Sequence, residues 1–270
     1  MTAVAADPTP TIDLSSTSQV PFGRLVSVEL RKMYDTRAGF WLLALTGALI
    51  ALALGIPLIV LALTDETISA NTWGQIMTAP VSLLVPVLAI TSVTSEWSQR
   101  TGLVSFTLEP HRMRVVWAKF VTVLLLALAT VALAVALGAL GNIVGAAVSG
   151  IDPVWDMEAG TLAWTVLTQV AYFSMAFAFG LTLLSTPAAV AVYYIVAMLL
   201  PFMVYGALYG FFAWARDIIP WIDLGFATSV FTTGEETDTT DLMRVIVTVL
   251  IWVVLPFVLG LRRVARAELK

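Results

Sequence analysis

The chain has no cysteine and one histidine in 270 residues, so disulfides, thiolate metal sites and imidazole clusters are all excluded. Charge is scarce as well. Only 12% of residues are Asp, Glu, Lys or Arg, about half the share found in ordinary soluble domains. There is no GxxxxGK[ST] loop to cradle a nucleotide phosphate, and neither HExxH nor GxSxG occurs. No ATP hydrolysis site, and no cofactor, is therefore expected on this chain. No ionisable residue is expected deep in an apolar run, which is where ion-coupled pumps usually keep one, and that weighs against a self-powered secondary transporter.

What is abundant is apolar side chain, at 59% of residues. No soluble fold could cover so much of it. The charges also fall between long uncharged runs of the length that a hydrocarbon core of ~30 Å demands of a helix. Six runs qualify, Gly39 to Leu63, Ile76 to Thr94, Val116 to Val148, Leu162 to Leu184, Ala188 to Ala213 and Leu242 to Leu261, and they predict an all-α polytopic membrane protein. The third is too long for a simple span and should tilt, bend or protrude. Pro57, Pro80, Pro86, Pro201 and Pro256 lie in or near the runs, where neighbouring helices can satisfy freed carbonyls. The polar stretch 1–21 lacks the basic start and apolar segment of a secretory signal and reads as a disordered tail ahead of one transmembrane domain, 22–270.

Charge sign along the chain predicts orientation, because Lys and Arg near span ends stay in the cytoplasm. Twelve of the fourteen basic residues fall in three clusters: Arg24, Arg31, Lys32 and Arg37 before the first run; Arg100, Arg112, Arg114 and Lys119 in the second connection; Arg262, Arg263, Arg266 and Lys270 at the end. The alternate connections are acidic, with Asp65 and Glu66, then Asp152, Asp156 and Glu158, then a group from Asp217 to Asp241, and hold only Arg216 and Arg244 as cations. An even count of six spans with both termini cytoplasmic follows.

Three segments depart from plain spans. From Phe22 to Arg37, a 100° projection places Phe22, Val26, Leu30 and Met33 on one face with Arg24, Arg31 and Asp35 opposite, an amphipathic helix in the membrane interface. Glu29 falls at the edge of that apolar face, where it could meet Lys32 or a partner; a plain surface anchor is an equally good reading. The second connection, 95–118, mixes Glu96, Gln99, Arg100 and Glu109, more polar variety than retention in the cytoplasm requires. It predicts a short helix after Glu96, ended by Pro110, that serves as a docking surface. The fifth connection, broken at Pro220 and Gly225 and flanked by Trp214 and Trp221, predicts two short helices that dip into the outer leaflet and return; an outer loop with interfacial tryptophans is the competing reading. Gly138, Gly141 and Gly145 permit close helix approach, within the chain ahead of a dimer interface. Tyr172, Tyr193, Tyr194, Tyr205 and Tyr209 could line a path but suit structural packing better.

In order and topology the chain resembles the membrane permease subunit of ABC type-2 exporters over nearly everything after residue 21. The most specific likeness is the second connection, where that family commonly has a Glu, a small Gly/Thr pair, a Pro-basic cluster and a Lys entering the third span. Here these are Glu96, Thr101 with Gly102, Pro110 with Arg112 and Arg114, and Lys119; the pair runs Thr-Gly where Gly-Thr is common. The resemblance implies a bacterial inner-membrane exporter subunit. Two permeases, identical or paired, would meet two cytoplasmic ATPase subunits that supply ATP and Mg, with the Glu96 to Glu109 segment seated in a groove of the ATPase. The expected coupling residues are Glu96, Gln99, Arg100, Thr101, Gly102, Glu109, Pro110, Arg112 and Arg114, with Arg24, Glu29, Arg31 and Lys32 on the interfacial helix. Partners are the ATPase, a second permease and the bilayer, with no nucleic acid. A noncatalytic anchor or sensor that recruits a cytoplasmic partner is the alternative. A lipid-modifying enzyme would have to work with Glu96, Glu109 and His111.

Overall fold

The computed structural model describes residues 20–64, 66–98 and 112–266. They form nine helices: α1 Phe22–Asp35, α2 Arg37–Leu63, α3 Ala70–Ser98, α4 Arg112–Ser149, α5 Ala159–Leu183, α6 Thr186–Phe211, α7 Ala213–Ile222, α8 Leu224–Thr233 and α9 Thr239–Arg266. Six of them, α2 to α6 and α9, are long and apolar enough to cross a membrane. The protein is thus an all-α polytopic membrane protein, and each expected run lies on one of these helices, except that Leu184 falls just past α5 and the fifth run overshoots α6, which ends at Phe211, with Phe212 extended and Ala213 opening α7. Nearly all of the expected tail, residues 1–19, lies outside the described residues.

The spans alternate in direction, and contacts at each end show it. At one end Thr94 of α3 meets Thr186 of α6 at 2.6 Å, Arg263 of α9 donates to the Thr182 carbonyl of α5, and α1 lies against α4. We call this the basic end. At the other, acidic end, the Asp156 carboxylate accepts from Asn71 N at 2.8 Å, Ser149 donates to the Glu66 carbonyl, and Asn142 donates to the Val154 carbonyl. Burial alone pushes the Asp156 carboxyl up, but bonds from Asn71 N and the Ser69 hydroxyl outweigh it and hold the group below its ordinary range.

The α3 and α5 helices form the centre. Phe173 to Ala178 of α5 are all buried, as are Met77, Val81, Val85 and Ile90 of α3. Helices α2, α6 and α9 stand at the periphery with apolar side chains outward, Trp41 and Phe202 among the most exposed, as expected when lipid is the solvent outside. The 38 residues of α4 give about 57 Å of helix, well beyond a ~30 Å core. This is the expected overlong run, held whole within one helix.

Two spans widen into π turns, at Ile195–Tyr205 around Pro201 and at Leu250–Val254 just before Pro256. Proline lacks an N–H and its ring collides with the carbonyl four residues back. Lengthening the ladder by one residue relieves that collision and passes the bond on, as where Gly206 N donates to the Pro201 carbonyl.

The glycines of α4 make a groove for one side chain. Trp73 of α3 is fully buried, and a Cβ on Gly141 would sit 2.6 Å from its ring, on Gly145 2.9 Å from Leu61, and on Gly138 3.2 Å from the Gly74 backbone. The small-residue stripe therefore serves packing within the chain. Gly141→Ala should lower stability by about 1–3 kcal/mol, because the indole is enclosed and cannot retreat; a thermal unfolding midpoint in detergent equal to wild type would refute that packing.

The fifth connection contains the two expected short helices, but its break lies elsewhere. Pro220 sits within the last turns of α7, and the chain turns at Asp223, which is extended at φ −119° and ψ 126°. Asp223 caps α8 by accepting from Phe226 N at 2.9 Å. Gly225 lies inside α8, where a Cβ would press on the Tyr172 hydroxyl at 2.8 Å. Its task is close approach to α5, not chain breaking. Burial pushes the Asp223 carboxyl above its usual range against the pull of the capping amides. Trp252 Nε1 donates to the Ile222 carbonyl, tying the hairpin to α9.

Candidate coupling site

The most unusual chemistry lies at the basic end, where α1 crosses the neighbouring ends of α3 and α4. Val26, Glu29 and Met33 recur at helical spacing on the face of α1 turned toward the bundle, with Glu29 and Met33 buried. Glu29 is thus at the middle of the packed face, where projection of the apolar residues alone had put it at the edge. Phe22, expected on that face, is 39% exposed.

A buried carboxylate requires a partner, and Lys119 of α4 supplies it. Lys119 Nζ donates to Glu29 Oε2 at 2.6 Å and lies 3.0 Å from Glu96 Oε1 of α3. Lys32 Nζ donates to Glu29 Oε1 at 2.6 Å and to Glu96 Oε1 at 3.5 Å. Two carboxylates and two ammonium groups thus close a ring that joins three helices. The Lys119, Glu29 and Glu96 side chains are only 5%, 8% and 10% exposed, whereas Lys32 is 47% exposed. Burial lowers the Lys32 pKa, but Glu29 and then Glu96 outweigh it and raise the group above its ordinary value. Thr122 of α4 donates to the Val26 carbonyl and Arg114 Nη2 to the Val20 carbonyl, so the start of α1 is held too.

Among the expected site residues, Glu29, Lys32 and Glu96 come together. Glu96 faces into the ring and not outward as a docking residue would. Arg114 is half-buried beside Val20, Arg112 opens α4, Arg24 is exposed, and Arg31 pairs with Asp35 on the outer surface at 3.2 Å. Gln99, Arg100, Thr101, Gly102, Glu109 and Pro110 lie outside the described residues. Lys119, noted above only as the Lys that enters the third span, is not among the expected coupling residues. It stands seven residues into α4, about 10 Å along the helix, and the signal for it was a cation inside an apolar run with an unexplained Glu on an amphipathic face.

The class that fold and site define is a six-span helical membrane protein with an amphipathic N-terminal helix locked to its basic end by a buried ion ring. No protein-family model matches the chain, and no characterised protein is significantly similar to it.

Proposed function

We propose that this chain is the membrane-spanning permease subunit of an ABC type-2 exporter, working in a bacterial cytoplasmic membrane with its basic end and both termini inside. The ion ring carries the reading. It fastens α1 to the last turns of α3 and the first turns of α4, the two helices that flank the connection through residues 99–111. In this reading ATP and Mg stay on cytoplasmic ATPase subunits seated against that connection, and two permeases, identical or paired, complete the exporter. Movement imposed on the connection reaches α3 and α4 directly and α1 through the ring, so the three shift as one body. Glu96 then acts as a joint inside the permease, while Gln99, Arg100, Thr101, Gly102 and Glu109 are the residues that meet the partner. A ligand can shift the bundle only by its differential affinity for the two states. ATP closure of the partner supplies that difference.

The test is purification in mild detergent from the native host. An ATP-hydrolysing subunit should come with the chain, and Arg100→Ala should cut its co-purification severalfold while the permease remains folded and inserted. Recovery of a noncatalytic partner alone would establish the anchor or sensor reading instead.

A further inference from the structure

A cleft of about 310 Å³ lies between α5, the hairpin helix α8 and α9. Its walls include Leu167, Val170 and Ala171 of α5, Leu224 of α8, and Val245 and Val249 of α9. Leu167 is 55% exposed, so the cleft opens sideways, toward the hydrocarbon that surrounds the spans. A water occupies roughly 30 Å³, and an apolar cavity of about half this size already stays dry and takes an apolar guest. Hydrocarbon is therefore its natural content.

The depth of the cleft matches one leaflet. Its α5 wall runs from Trp164 to Ser174, about 15 Å at 1.5 Å per residue, and half of a ~30 Å core is the same length. Trp164 stacks on Phe231 of α8 at 4.1 Å at the acidic end of the cleft, and tryptophan favours the headgroup level.

One polar group lacks a partner where a lipid would bring one. Thr168, one turn deeper than Trp164, lines the cleft, and its buried hydroxyl has no hydrogen bond. Arg244, next to the lining residue Val245, does not line the cleft: it donates to Asp241 through Nη1 at 2.7 Å and lies 5.9 Å from the centre of the Trp221 ring.

We propose that the cleft holds one acyl chain of a resident bilayer phospholipid, with the ester carbonyl accepting from the Thr168 hydroxyl. The lipid fills the seam between the hairpin and the bundle. Its occupancy does not depend on the exporter reading.

Full-length protein, delipidated in detergent and titrated with phosphatidylglycerol carrying a sixteen-carbon and an eighteen-carbon chain, should retain one equivalent by native mass spectrometry. Ala171→Phe and Val249→Phe, which fill the cleft from opposite walls, should each weaken retention at least tenfold. Val144→Phe, on the exposed face of α4, should leave it unchanged. Two variants on different helices keep the test decisive if one fails to fold. Retention at the wild-type level in the folded cleft variants, equal loss in Val144→Phe, or no retained lipid in the wild type would overturn the proposal.

Discussion

Lys119→Met should lower stability by about 3–5 kcal/mol, the cost of removing one partner from a buried pair. The substitution keeps the aliphatic stem, so packing changes little. Among the described residues it leaves Glu29 and Glu96 facing each other with the half-exposed Lys32 between them, and a solvated ammonium compensates two buried carboxylates poorly. One carboxyl must then take up a proton or draw in water. The Glu29→Gln/Lys119→Met pair should lose much less than the two single losses added together, because Glu96 keeps Lys32 and no unpaired buried charge remains. A double-mutant cycle on unfolding midpoints in detergent measures this, with a coupling of 0.5–3 kcal/mol expected for groups in contact. Strict additivity would show that the four charges do not act as a unit.

Gly39→Ala should be nearly as damaging, at about 3 kcal/mol or more. Thr36 is the single residue between α1 and α2, extended at φ −85° and ψ 146°, and its hydroxyl accepts from Gly39 N at 3.1 Å. The chain turns so sharply that a Cβ on Gly39 would lie 1.8 Å from the Met33 carbonyl oxygen. Backbone cannot yield as a flexible side chain can. The whole of α1 must swing, and the swing would pull Glu29 from Lys119. Gly39→Ala and Lys119→Met should accordingly be non-additive, since the first already opens the ring that the second breaks. A wild-type midpoint for Gly39→Ala would show that the α1–α2 elbow is looser than described.

These two sites differ in how far they could be read in advance. The spans were legible because the physics is one-dimensional: each helix satisfies its own backbone bonds, and lipid selects uninterrupted apolar length. The hairpin was legible in outline, from a moderately apolar segment bounded by tryptophans. Its break was not, because Pro220 is tolerated in a helix that ends soon after it, while Asp223 forms the cap. Gly225 looked like a breaker only because the Tyr172 hydroxyl that crowds it comes from 53 positions away.

The charged site shows the same division. That Glu29 and Lys32 share one side of α1 follows from helical spacing, and Glu96 stood out as an acid at the end of a run. That Lys119 closes on both acids depends on how α1 folds back over α4, a fact carried by the Gly39 elbow and the Thr122 and Arg114 bonds to α1 and the residues before it. Glu29 and Lys119 are 90 residues apart in sequence. No local pattern joins them.

Sequence by itself settled that the chain is a helical membrane protein with six spans, because apolar length and charge spacing act along one segment at a time. Tertiary structure alone decided which polar groups are buried, which glycines are needed and where the lateral cleft lies. Those depend on side chains meeting from separate helices, and the energy of a buried charge or a close approach exists only once its neighbour is in place.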